Sequence, residues 1–255
     1  MTALLTVSGV SRRFGGLQAL SDVGFDVEEG SVRAIIGPNG AGKTTLLDIV
    51  TGFTRPDTGE VELAGRSITR TDPHELPALG LMRTFQSARL VPRLTVRQNI
   101  MLGAHHLARS GFWASGLRLP AARREEQAMR GRADAVLRFL ELGRFADALA
   151  ADLPAGTQRL IEVGRVLAGS PRLMLFDEPA AGLDDSETLE LADVLRALKS
   201  TEITMVLIEH NVGLVMSVSD RVLVLDAGQT IADDVPEVVQ HDPKVVAAYL
   251  GEVSA

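Results

Sequence analysis

The stretch that most constrains this chain is GPNGAGKTT, residues 37–45. Gly37 and Gly42 bracket four residues and are followed at once by Lys43 and Thr44, the spacing of a loop that wraps a phosphate. Glycine at 37, 40 and 42 lets successive backbone N–H groups turn toward one centre that side chains would otherwise crowd. Gly37, Pro38, Asn39, Gly40, Ala41, Gly42, Lys43, Thr44 and Thr45 are therefore the candidate phosphate-binding residues. Lys43 supplies a point charge for the outer phosphates, and the Thr44 hydroxyl a ligand for Mg2+. Context supports the reading. SVRAIIG (31–37) is a short apolar run suited to a buried strand, TTLLDIV (44–50) continues as a helix, and Gly52 sits where a helix stops. The implied ligand is a nucleoside triphosphate with Mg2+.

Upstream, Leu5 and Val7 alternate with Thr6 and Ser8, and Val23, Phe25 and Val27 alternate with Asp22, Asp26 and Glu28, as in half-buried strands. Pro56-Asp57-Thr58-Gly59 reads as a turn before the alternating EVELAG (60–65), so an antiparallel sheet is expected beside the core. Residues 95–149 read as mostly helical, interrupted by GFWASGLRLP (111–120), whose large apolar side chains suit a partner contact or packing on neighbouring helices. LMLF (173–176) and MVLI (205–208) are continuous apolar runs, as parallel strands covered on both faces require. Between them, Leu191, Val194, Leu195 and Leu198 follow helical spacing after the capping candidates Asp184 and Asp185. Ala227-Gly228 divides a hairpin, and 235–250 reads as two short helices parted near Pro243.

Composition limits the alternatives. The 255 residues carry a net charge of −7, 45% hydrophobic and 23% charged residues, which fits a folded globular chain and argues against broad nucleic-acid binding. The absence of cysteine excludes disulfides, thiol catalysis and thiolate metal sites. No apolar run approaches the roughly 18 residues of a membrane span, and MTALLTVSGV lacks the pattern of a secretory signal. A cytoplasmic location is expected, with any membrane role arising through a partner.

Ligands of open parallel sheets sit beyond the carboxyl ends of the strands, which selects the remaining candidates. Asp177 and Glu178 follow one buried run, and Glu209 and His210 another. Asp177 suits Mg2+, directly or through water. Glu178 precedes Pro179, which predicts an extended backbone and a side chain turned to the attacking water. A general base there is worth about 10²–10⁴ in rate. His210 is a candidate phosphate contact, whereas His105 and His106 read as solvated helix residues. Gln86, after the strand-like LMRTF, is placed to ligate Mg2+ or hold water.

Together these residues resemble the ATP-binding cassette (ABC) ATPases, the motor subunits of membrane transporters. GPNGAGKTT resembles the Walker A loop, Gln86 in RTFQ the Q-loop, LMLFDEP the Walker B strand with its catalytic Glu178, AAGLDD (180–185) the D-loop and His210 the switch histidine. The resemblance assigns catalysis to Glu178, His210, Lys43 and Gln86, metal binding to Thr44, Gln86 and Asp177, and adenine stacking to Phe14. It implies an α/β fold: a P-loop NTPase core with a mostly parallel sheet, an antiparallel β subdomain and an α-helical subdomain. One domain would span 1–255, with the core and β lobe in 1–94 and 150–235, the helical lobe in 95–149 and a helical tail in 236–255. RTFQSARLVPRLTVRQNI, IEHNVGLVMSVSDRV and DPKVVAAYLG are similar to the ATPases of branched-chain amino-acid importers, and RAIIGPNGAGKTTLLDIVTG to those of urea or amide importers.

The family signature Leu-Ser-Gly-Gly-Gln departs here to LPAGTQ (153–158), with Pro154 in place of the serine. The resemblance makes Gly156, Thr157 and Gln158 contacts for the nucleotide of a second ATPase subunit in a head-to-tail dimer. Proline brings neither a hydroxyl nor an N–H donor, so that contact is expected to be weak. Implied partners are the second cassette, transmembrane permease subunits and, indirectly, a periplasmic or extracellular substrate-binding protein. Nucleic acid is not among them. The chain is then held at the inner face of the membrane by the permease. Arg83, Arg89, Arg93 and Arg97 are expected either to meet that permease or to form a solvated basic face. Two other readings remain: a soluble ABC ATPase acting on nucleic acid or ribosomes, and a guanine-nucleotide switch, for which no Asn-Lys-x-Asp segment is present.

Overall fold

A computed structural model describes residues 3–84, 90–107 and 120–252. Two sheets organise it. The first is antiparallel, in the order β2 (Leu17–Glu28), β1 (Ala3–Phe14), β4 (Thr58–Leu63), β5 (Arg66–Ser67). The second runs β10 (Gln229–Asp234), β9 (Arg221–Asp226), β3 (Val32–Ile36), β8 (Thr204–Ile208), β7 (Leu173–Asp177), β6 (Leu81–Arg83). Its pairings are parallel except for the β9–β10 hairpin.

The apolar runs in the second sheet are continuous because both faces are covered. Ile35, Leu175, Val206 and Leu223 point into the core shared with the antiparallel sheet and with α1 (Lys43–Val50). Ala34, Phe176, Leu207 and Val222 point to the other core, beneath α4 (Ala155–Ala168), α5 (Asp185–Ser200) and α6 (Val212–Val218). Alternate residues of one strand thus serve different cores, and the buried polar residues Arg33, Asp177 and Thr204 sit at or next to strand ends.

A third apolar cluster joins α2 (Val96–Gly103) and α3 (Pro120–Phe139) to the buried side of α4. Here α2 and α4 approach so closely that a Cβ on Gly103 would lie 1.6 Å from the carbonyl oxygen of Arg165. Two short helices, α7 (Pro236–Val239) and α8 (Pro243–Glu252), complete the chain.

Local chemistry explains the element ends. Thr95 and Gln98 form a capping box on α2, and Asp184 and Glu187 one on α5. Ala227 and Gly228 both take positive φ, 44° and 78°, as a two-residue hairpin turn requires. The turn expected at 56–59 is a bend at Asp57, because Thr58 and Gly59 already pair in β4. The segment GFWASGLRLP lies outside the described residues except for Pro120, where α3 begins.

Candidate active site

The phosphate-loop candidates follow β3 and curl into the first turn of α1. Gly37, at φ 149°, lies where a Cβ would meet the Leu225 carbonyl oxygen at 2.0 Å, and Gly42, at φ 101°, where it would meet that of Ala19 at 2.6 Å. The loop is thus pressed against the backbones of β9 and β2, and only glycine fits. No side chain caps α1, so its positive end faces the cleft. Lys43 is already bent into the loop, its Nζ donating to the carbonyls of Gly37 at 2.6 Å and Pro38 at 2.9 Å.

That cleft encloses ≈ 510 Å³ and is lined by Asn39–Thr45, Phe14, Leu17, Glu178 and His210, among others. Phe14 and Leu17, which flank the β1–β2 turn, are 46% and 68% exposed, leaving an apolar platform at the open end. The guanidinium of Arg12 lies 4.7 Å from the centre of the Phe14 ring. Opposite the loop, His210 Nε2 and Glu178 Oε1 share a 2.6 Å hydrogen bond. Two residues from different strand ends therefore act as one pair, positioned to hold a water or a phosphate oxygen.

The backbone of Glu178 is not extended. Its φ is +48°, in the left-handed region, despite the following proline. Its N–H donates to Ile208 O at 2.9 Å and its carbonyl accepts from Ala181 N at 3.1 Å, so the turn out of β7 overrides the local preference. Glu209 fixes this geometry. Only 3% exposed, it accepts from Ala180 N at 2.6 Å with one oxygen and from His210 N at 3.0 Å with the other. One carboxylate ties the segments that carry the Glu178–His210 pair, a role that the sequence pattern missed.

Asp177 ends β7, buried and outside the cleft lining, and bonds Arg83 through Oδ2 at 2.7 Å. Arg83 is therefore a buried ion-pair partner and not part of a solvated face. Arg97 is likewise engaged, with Asp134 and Asp147 in the helical lobe. Arg93 is exposed, whereas Gln86 and Arg89 lie outside the described residues. Thr44 lines the cleft and is exposed, while the Asp177 carboxylate is not among the lining residues. No group of three or more His, Cys, Asp or Glu forms a metal cage among the described residues. So sparse a donor set fits Mg2+, which keeps waters and takes phosphate oxygens.

Gly156, Thr157 and Gln158 do not join this cleft. They open α4, where Pro154 is the N-cap residue. The Gly156 N–H donates to Glu187 Oε1 at 3.0 Å, and Gln158 Nε2 donates to the Leu153 carbonyl at 2.8 Å. Among the described residues two guanidinium groups are shifted, both outside the cleft. Desolvation by burial lowers Arg33 against the pull of Asp233, and lowers Arg165 against that of Glu162.

A second concavity, of ≈ 380 Å³, separates the core from the helical lobe. Phe53 and Leu102, 56% and 41% exposed, face it with Pro73, Leu76 and Met82. No helix among the described residues is long and apolar enough to cross a membrane.

The ABC transporter family model matches residues 20–181, and the branched-chain amino acid ATP-binding cassette transporter model matches residues 229–255. The high-affinity branched-chain amino acid transport ATP-binding protein BraF of Pseudomonas aeruginosa is 40% identical over 250 residues, covering 98% of each chain. Its counterpart LivG of Escherichia coli K12 is 36% identical over the same share. Among solved structures, the ADP conformation of an ATP-binding cassette of an ABC transporter superimposes with a TM-score of 0.87 at 33% identity, covering 98% of this chain and 100% of that one.

Proposed function

Because the chain belongs to the ABC transporter family of ATP-binding cassettes, we propose that it is the ATP-hydrolysing subunit of an importer for branched-chain amino acids. It is an ATPase that binds nucleotide. The observation that carries the site assignment is the cleft itself, with the Lys43 loop on one wall and the hydrogen-bonded Glu178–His210 pair on the other.

In this reading the loop N–H groups and Lys43 hold the phosphates, and the exposed Phe14 ring takes the adenine. Thr44, Asp177 and Gln86 hold Mg2+, which neutralises phosphate charge when bound. Glu178 takes the proton of the attacking water, and His210 holds Glu178 in place and contacts the γ-phosphate.

The signature helix serves the nucleotide of a second cassette in a head-to-tail dimer. A dimeric ABC cassette with ADP and phosphate bound superimposes on this chain with a TM-score of 0.75 at 26% identity. The permease docks in the apolar groove beside Phe53 and Leu102, which would hold the chain at the inner face of the membrane. A substrate-binding protein acts on the permease from the other side.

Replacing Lys43 by Ala in the assembled complex is expected to cut ATP affinity at least tenfold in calorimetry, the loss of a charge-assisted contact. Undiminished affinity would remove Lys43 from the site. For the substrate, inactivating this subunit is expected to abolish ATP-driven leucine, isoleucine and valine uptake into vesicles. Loss of urea or amide uptake instead would reassign the transporter.

A further inference from the structure

Arg83 ends β6, one strand over from β7 with its terminal carboxylate Asp177, and lines the concavity between the core and the helical lobe. Its side chain is 9% exposed. Nη1 donates to Asp48 Oδ1 at 2.6 Å and to Thr51 Oγ1 at 3.0 Å, and Nη2 donates to Asp177 Oδ2 at 2.7 Å. The guanidinium also lies 5.8 Å from the centre of the Phe53 ring. Its planar fork spans carboxylates on two elements, α1 and β7, a geometry that the point charge of lysine does not reproduce.

We propose that Arg83 is a positioning residue that orients Asp177 and sets how tightly the cleft takes its divalent cation. This rests on the nucleotide and Mg2+ reading given above. Charge is the lever. Asp48, Arg83 and Asp177 together carry a net −1 next to the cation site. Without Arg83 the group would carry −2, and without the Asp48 charge it would be neutral. Coulomb energy therefore moves cation affinity in opposite directions for the two losses. A merely structural role makes a different forecast, because losing either anchor loosens Asp177 and weakens the cation in both cases.

The test is Mn2+ binding by the full chain with ADP present, read from the electron paramagnetic resonance of free Mn2+. Arg83→Gln is expected to tighten Mn2+ roughly tenfold, as removal of a unit charge several ångströms from a divalent ion does at a partly buried site. Asp48→Asn is expected to weaken it roughly threefold, since the Asp48 side chain is 32% exposed and better screened.

Arg83→Lys keeps the charge and loses the fork, so Mn2+ affinity stays within about twofold while turnover falls. Affinities that move in the same direction for Arg83→Gln and Asp48→Asn, or that do not move, overturn the proposal. If circular dichroism shows Arg83→Gln to be unfolded, Arg83→Lys and Asp48→Asn decide together: Mn2+ binding weakened well beyond about twofold by Arg83→Lys, or unchanged or tighter in Asp48→Asn, overturns it. Wild-type chain that takes up ADP but no Mn2+ overturns the proposal and leaves the nucleotide site standing. Wild-type chain that takes up neither overturns both.

Discussion

The first turns of α1 and α4 are both flanked by or carry glycine, and their positive ends are dressed differently. At α1 no side chain covers the first turn, and Lys43 curls back over the loop carbonyls. At α4 the Gly156 N–H is already taken by Glu187, whose other oxygen accepts from Asp184 N at 3.2 Å. One carboxylate thus clasps the signature helix to the D-loop. The α1 end is prepared for an anion by its own chain. The α4 end is satisfied internally, so an incoming phosphate must share or displace a carboxylate that is already there. A polar group with a partner in the free protein returns less on binding, because the lost bond is subtracted.

The largest expected effect breaks the comparison at the glycines. A methyl at Gly37 would meet backbone, the Leu225 carbonyl at 2.0 Å, which cannot swing aside. A methyl at Gly156 would meet Glu187 Oε1 at 2.6 Å, the end of a side chain that can rotate. Gly37→Ala is therefore expected to abolish nucleotide binding in calorimetry and to lower the melting temperature. Gly156→Ala is expected to leave the chain's own affinity within about twofold, as for distant, independent sites. Equal damage at both would show that the α4 turn is as rigid as the α1 loop.

The next effect separates binding from chemistry within the cleft. Glu178→Gln keeps the shape and an acceptor for His210 but removes the base. Phosphate release is expected to fall by about 10²–10⁴ while ATP affinity holds. Near-normal turnover would demote Glu178 and leave the cleft as a binding site only.

What the sequence makes legible follows distance along the chain. Ala34, Phe176 and Leu207 lie in short apolar runs, and the Asp184–Glu187 box and the Ala227-Gly228 turn are local chemistry, so strands, caps and turns could be anticipated. The phosphate loop is equally local. Glu209 and Arg83 are not, because their partners sit on other strands and no periodicity announces them. Arg83 read as a surface charge because its spacing to Arg89, Arg93 and Arg97 says nothing of Asp177, which lies in the neighbouring strand. The backbone of Glu178 departs from the extended form for the same reason. The Pro179 rule is local, and the bond to Ile208 that outweighs it is not. The clasp between Gly156 and Glu187 spans 31 residues, so neither local pattern announces it.

The smallest effect concerns Pro154, where the signature departs most. At φ −55° and ψ 156° it suits the N-cap backbone but offers no side-chain acceptor. Serine there regains a hydroxyl for the partner's γ-phosphate, a contact to a charged group worth about 1.5–3 kcal/mol, so turnover of the assembled complex is expected to rise about tenfold. Stability confuses this little. A serine N-cap adds about 1 kcal/mol, and the more flexible unfolded chain offsets about 0.4–1 kcal/mol of it. The two uses of the hydroxyl can be told apart. If it caps the Thr157 N–H, the melting temperature rises while ATPase and transport stay unchanged, and the impaired-signature idea fails. If it reaches the nucleotide, turnover rises and the melting temperature falls slightly, because no cap then offsets the more flexible unfolded chain. Because Glu187 still holds Gly156, any gain then comes from the hydroxyl alone, and the α4 end remains the weaker half of the pair.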